Sequence, residues 1–211
     1  MSADVNITES NARSSRLGDV ATLRAGYAFR SAIPESATGG VVVVQLKDIQ
    51  IGERLDWSRP IRTILSRAPL GEEWLRPGDI LFAFRGTRYF AVLLEEVPAP
   101  AIAATQFMLL RVRDTQALLP AFLAWQLNQP PAQLHFHQAA TGTAQRSLRR
   151  GAVEALTVAV PPMEFQHSVV ELAVLVRRER EAMQEFIRTR EQQLSEIAAS
   201  LLAISPPGEA P

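Results

Sequence analysis

Cysteine is absent from all 211 residues, so no disulfide framework, thiolate metal site or thiol nucleophile can be built. The expected compartment is the cytoplasm. No stretch approaches the ~20 consecutive apolar residues that a membrane span needs. The polar segment from Met1 to Ser15 lacks the apolar core of an export signal. Neither a membrane role nor export is indicated. Lysine is all but missing, Lys47 being the only one, so positive charge is carried almost wholly by arginine. The formal net charge is zero, which at first speaks against a nucleic-acid partner. Glycine-rich phosphate cradles, paired-carboxylate motifs and nucleophile elbows are also missing, so no catalytic residue is assigned. His135 and His137 stand two apart with no acidic residue nearby in sequence, and no metal site is assigned to them.

Hydrophobic residues make up 47% of the chain and charged residues 21%, the balance of a globular protein. The length suits one well-packed domain plus an extra element. The zero net charge hides a division. Residues 1–163 carry 17 basic and 14 acidic side chains, whereas residues 164–211 carry 5 and 8. The body is therefore mildly basic and the tail acidic. Arginine's planar fork matches both phosphate and the guanine edge, although codon bias in a GC-rich genome would also produce such a skew.

Residues 1–14 read as a flexible leader and residues 205–211 as a proline-rich disordered tail, the two ends of a stand-alone chain. After a short element at Leu17–Leu23, the β-branched run Val41–Leu46 predicts a buried strand, and Ile49–Trp57 with Gly52 predicts a turn and a second short strand. The Pro77-Gly78 turn precedes an apolar strand ending near Phe84. Residues 85–89 then form the tip of a hairpin that returns through Phe90–Leu94. Phe107–Val112 predicts a further strand. Residues 118–134 show helical spacing that Pro130-Pro131 stops, and Val153–Val160 reads as the last strand-like segment. Strands precede helices instead of alternating with them, so the expected class is α+β, with a mixed domain over residues 15–162. No internal repeat is visible.

From Glu164 to about Ala203 there is neither glycine nor proline, which predicts one helix of roughly 40 residues and ~60 Å over residues 163–204. The seam Leu172, Val176, Glu179, Met183, Ile187, Arg190, Leu194, Ile197 and Leu201 is heptad-like with a stutter at Met183, the pattern of a coiled coil. Glu179 and Arg190 interrupt it, and burying either alone would be unfavourable. An antiparallel two-fold centred between Gln184 and Glu185 sets Glu179 of one copy against Arg190 of the other. Solvent exposure at both positions is the alternative.

The ordered pieces Leu17-Gly-Asp-Val20, Gly26-Tyr-Ala-Phe29, Val44-Gln-Leu-Lys-Asp-Ile49, Leu75-Arg-Pro-Gly-Asp-Ile-Leu81, residues 142–148 and Leu156–Gln166 together resemble the type I restriction-modification specificity subunits. The likeness runs from Leu17 to Leu202. His167 and Ser168 after Gln166, and the Arg85–Arg88 loop, depart from the family's usual pattern. The resemblance implies a target recognition domain followed by a spacer helix that packs antiparallel to a second one. Because only one such unit is present, it implies a half subunit that acts as a homodimer on two inverted half-sites. It further implies double-stranded DNA, a methyltransferase subunit and a restriction or translocase subunit as partners. S-adenosylmethionine would be held by the methyltransferase and no cofactor by this chain, which would be a non-catalytic part of a phage-defence complex. A recognition region of a fused methyltransferase-endonuclease, and a coiled-coil module without a DNA role, are the competing readings.

DNA reading needs side chains that reach base edges and others that grip phosphate. Arg85, Thr87, Arg88 and Tyr89 at the hairpin tip, and Thr143, Gln145, Arg146, Arg149 and Arg150 after Gly142, are the candidates, with Arg30 and Lys47 behind them.

Overall fold

The computed structural model describes residues 13–49, 51–86, 88–142 and 146–203, with 202 and 203 by backbone alone. It divides into one unit ending at Glu171 and another beginning at Leu172. The first unit is α+β, as its strand and helix patterning implies.

Its centre is a four-stranded antiparallel sheet in the order β2 (Ala21–Ala25), β8 (Phe107–Val112), β5 (Ile80–Ala83) and β6 (Phe90–Leu93). The register of β5 on β6 runs from Ile80 opposite Leu93 to Ala83 opposite Phe90, the hairpin that the Pro77-Gly78 turn and two apolar runs predict. All four residues of β5 are buried because both faces of this sheet are covered. Ile80 and Phe82 face a core with Phe122, Leu123 and Leu127 of α2 (Pro120–Leu127) and Phe136 of α3 (Pro130–Ala139). Leu81 and Ala83 belong to a second core with Val42 and Val44 of β3 (Val41–Val44) and Ala101 and Ala103 of β7 (Ala101–Ala103). Strand β3 runs parallel to β7 and antiparallel to β4 (Ile61–Thr63), which makes a three-stranded sheet. Gly26 enters this arrangement under a tight steric limit, since a Cβ there would lie 2.2 Å from the Ala104 carbonyl oxygen.

Four expectations are corrected. Arg13 and Ser14, expected within a flexible leader, belong instead to β1 (Arg13–Arg16), which pairs antiparallel with β9 (Thr157–Val160). Arg-Ser-Ser-Arg has no strand-like hydrophobicity and is a strand only through that partner; it leads directly into the one-turn helix α1 (Leu17–Val20). No strand forms between Ile51 and Trp57. That stretch holds a turn at Ile51-Gly52 and leads to another in which the Asp56 carboxylate accepts bonds from the Ser58 amide and hydroxyl, the latter at 2.7 Å. Pro130-Pro131 ends α2 but also opens α3, proline being suited to a first helical turn where the amides have no partner anyway. Residues 150–154 form α4 (Arg150–Glu154) before β9 begins.

Buried polar groups fix the ends of these elements. Asp79 is 1% exposed and accepts hydrogen bonds from Arg111 Nε at 2.6 Å, Arg111 Nη2 at 2.7 Å and the Arg76 amide at 2.7 Å. The hydrogen bond to Asp79 holds the Arg111 guanidinium above its ordinary pKa, against the opposing effect of burial. This pair ties the turn before β5 to β8. Gln166 is fully buried in the first turns of α5 (Met163–Ala203). Its Oε1 accepts the Leu119 amide, and its Nε2 donates to the Ala117 and Pro161 carbonyls, each at 2.8 Å.

The second unit is the remainder of α5. Nine of its large apolar side chains from Leu172 to Leu201 are between 45% and 66% exposed. Among the described residues no helix is long and apolar enough to cross a membrane.

Candidate nucleic-acid interface

The β5–β6 hairpin is buried up to both sides of its tip, by Phe84 before it and Tyr89 after it. Gly86 turns the chain there with φ of +105°, a conformation that side-chain-bearing residues rarely adopt. Further along the chain, Thr141 and Ser147 exchange two backbone hydrogen bonds, Thr141 amide to Ser147 carbonyl at 3.1 Å and the reverse at 3.0 Å, and so close a second tip.

These two tips form one surface. The Gly86 amide donates to the Arg146 carbonyl at 2.9 Å and the Leu148 amide to the Phe84 carbonyl at 3.0 Å, with Arg85 bridged to Ser147. The 146–148 segment therefore extends the hairpin as a short antiparallel partner. Leu148, 2% exposed, anchors it to the core. Beneath lie Phe136 and Phe82, whose ring centroids are 4.8 Å apart. His135 Nε2 lies 2.8 Å from the Ala152 carbonyl and, as the only side of that contact able to donate, fastens α3 to α4.

Arg85, Arg88, Arg146 and Arg149 are exposed, and among the described residues none of them has a carboxylate partner. No acidic residue occurs in residues 84–94 or 115–153, so repulsion between these cations is not relieved locally. The Arg85 guanidinium lies over the Phe84 ring, 5.1 Å from its centroid, which holds the charge at the tip. Arg150 differs: its Nε donates to Glu154 Oε1 at 2.7 Å one helical turn on, which partly neutralises it. Such an array suits an anionic polymer, whose phosphates offer acceptors at regular intervals and whose base edges accept the guanidinium fork.

The other sequence candidates lie on other segments. Arg30 and Lys47 are exposed. Arg30 follows Tyr27, which bridges to Ala104, and Lys47 sits in a single 3-10 turn after β3, capped by Asp48 accepting the Gln45 amide at 2.8 Å. Thr87, Thr143 and Gln145 lie outside the described residues. Tyr89 is corrected from a contact residue to a core residue. It is 3% exposed, its ring packs on Phe136 and His137, and its buried hydroxyl has no partner among the described residues. Strand alternation explains the error, because a tyrosine at a hairpin tip faces inward or outward according to a register that sequence does not fix. Tyr89→Phe is expected to leave DNA affinity unchanged and to hold or raise the urea midpoint, relieving up to about 1–3 kcal/mol of desolvation. A loss of affinity in that variant would return Tyr89 to the interface.

Sequence reading missed Asn128. Its Oδ1 accepts the Ala91 amide at 2.9 Å while its Nδ2 donates to the Ala91 carbonyl at 2.8 Å and to the Ala124 carbonyl at 3.0 Å, which clamps β6 to α2. An asparagine just past a helical run was the available signal, but nothing in the sequence names its strand partner. Among the described residues there is no cluster of three or more histidine and carboxylate side chains able to hold a metal ion.

No family model matches the sequence, and no curated protein does. Solved structures do. The type I restriction-modification system S subunit from M. genitalium superposes with a TM-score of 0.63 at 13% identity, over 94% of this chain and 47% of that one. A chain from a structure on complex assembly and conformational transition of the type I R-M system gives 0.63 at 18% identity, over 96% and 47%. The HsdS subunit from Thermoanaerobacter tengcongensis gives 0.61 at 21%, over 95% and 51%. At these identities the likeness is one of fold. The chain spans about half the length of each of these proteins and has the fold of half an S subunit, a mixed α+β body followed by a long helix.

Proposed function

We propose that this chain is the DNA-reading half subunit of a type I restriction-modification system, in which two copies joined through α5 present two recognition bodies to a bipartite, inverted target. The observation that carries this reading is the backbone pairing of residues 84–86 with 146–148, which gathers four unneutralised arginines at one end of a rigid hairpin. Rigid placement matters because base readout needs guanidinium forks held in register while neighbouring cations grip phosphate. The fold supports the reading, since half of an S subunit contains one recognition body and one long helix. The exposed apolar side chains of α5 supply a face for a second copy. The chain supplies the address. Methyl transfer belongs to a partner subunit that holds S-adenosylmethionine, and the assembly also accepts a restriction or translocase subunit.

Co-expression with a candidate methyltransferase subunit, followed by mapping of methylated adenines across the host genome, tests the proposal. The expected result is one motif made of two inverted half-sites with a fixed spacer. A single asymmetric motif would point instead to the recognition region of a fused methyltransferase-endonuclease. Absence of any motif, with DNA binding also absent, would reduce the chain to a helix-pairing module.

A further inference from the structure

The apolar side chains of α5 beyond Leu172 recur at intervals of eleven residues. Leu172, Met183 and Leu194 share one position of this repeat, and Leu175, Phe186 and Ile197 share the next. Glu179, Arg190 and Leu201 follow the same interval. Eleven residues make three turns at about 3.67 residues per turn, which drifts gently right-handed, whereas a seven-residue repeat imposes a left-handed supercoil. The stutter that a heptad reading requires at Met183 disappears, and Leu175 and Phe186, outside the heptad seam, take central places. Both are more than half exposed.

Two antiparallel registers bring these positions level with one another. With the two-fold between Gln184 and Glu185, Leu172 meets Ile197, Leu175 meets Leu194 and Met183 meets Phe186, while Glu179 meets Arg190. With the two-fold between Phe186 and Ile187, Leu172 meets Leu201 and Val176 meets Ile197, but Glu179 faces Leu194 and Arg190 faces Met183. Apolar matching alone does not choose between them. Charge does, because the second register isolates two charges against hydrocarbon and the first joins them. A parallel pair would set like charges together at both levels. Arg190 already lies on the appropriate side of the helix: its guanidinium sits 5.0 Å from the centroid of the Phe186 ring, and its Nη1 donates to Gln193 Oε1 at 3.0 Å. Glu179 has no ion-pair partner among the described residues.

We propose that a second copy of this chain docks on α5 in the first register alone, as a nearly straight antiparallel pair in which Glu179 of each copy bonds Arg190 of the other. This rests on the pairing of copies proposed above and specifies its geometry.

The absence of cysteine makes the test clean, since any disulfide must join introduced residues. Full-length Glu179→Cys and Arg190→Cys chains, mixed and mildly oxidised, are expected to give a covalent mixed dimer. Neither chain alone should cross-link, because equivalent Cα atoms would lie about 16 Å apart along the axis, beyond the ~7 Å limit of a disulfide. Leu172→Cys with Ile197→Cys, which leaves both charges in place, is expected to cross-link likewise. In the unsubstituted background, Glu179→Arg and Arg190→Glu should each weaken the dimer at least tenfold, and the double exchange should restore it to within about threefold. Cross-linking of Glu179→Cys with Leu194→Cys, self-cross-linking of Glu179→Cys, or no cross-link at either expected pair in a protein that sediments as a dimer would each overturn the register while leaving the pairing of copies standing. An unsubstituted protein that sediments as a monomer, alone and with duplex DNA, would overturn both.

Discussion

Replacing Arg85, Arg88, Arg146 and Arg149 together by alanine is expected to lower affinity for duplex DNA by on the order of a hundredfold or more at moderate salt, and to flatten the dependence of log K on log salt by up to about 0.9 for each phosphate no longer neutralised. The four side chains are exposed and lack carboxylate partners among the described residues, so the unfolding midpoint should hardly move. Single replacements separate two roles. An arginine that forks onto a guanine edge loses about 1–3 kcal/mol and relaxes preference at one base pair, whereas one that grips phosphate weakens all sequences alike. Arg150→Ala provides the internal contrast, because its charge is already shared with Glu154 and its loss should matter less. Titrations of fluorescent duplexes at several salt concentrations supply the measurement. An unchanged affinity and slope in the fourfold variant would remove this surface from the interface.

Asp79→Ala is expected to destabilise the first unit by about 3–5 kcal/mol, the usual result of stripping one partner from a buried ion pair. Asp79 is 1% exposed and accepts three hydrogen bonds, so its removal leaves a partly buried Arg111 guanidinium whose remaining bond is to the Trp74 carbonyl at 3.2 Å. The Arg76 amide loses its acceptor as well. Replacing the pair with Asp79→Leu and Arg111→Met should recover much of the loss, because hydrocarbon carries no desolvation penalty. Urea denaturation reads this as a fall in midpoint at unchanged slope. A change below about 1 kcal/mol for Asp79→Ala would show that water replaces the carboxylate there and that the pair does not hold β5 to β8. The site has a stake in the outcome, since β5 carries Phe84 and the arginine tip directly beyond it.

Much of this was legible in the residues. Apolar runs marked β3, β5, β6 and β8, the Pro77-Gly78 turn marked the hairpin, and the unbroken stretch after Pro162 marked α5. Each is a local pattern whose physical cause lies within a few residues. The arginine loops were likewise visible as glycine-containing polar segments between apolar ones. Other elements depend on partners distant in the chain. Arg13–Arg16 becomes a strand only beside Thr157–Val160, and Gln126 of α2 has both its amide atoms bonded to Ala159 of that same β9 strand, at 2.9 Å each. Helix α3 was hidden because proline ends one helix and begins another with equal ease.

By itself, then, the sequence determined that the protein is α+β, that its positive charge is almost wholly arginine, and that one long helix follows the mixed body. Periodicity and composition are local properties, and those conclusions need nothing else. Only the tertiary structure decided that two arginine loops about sixty residues apart are one surface, and that Tyr89 lies under it instead of on it. These are matters of register and backbone pairing between remote segments, which burial of both sheet faces selects and which no local pattern encodes.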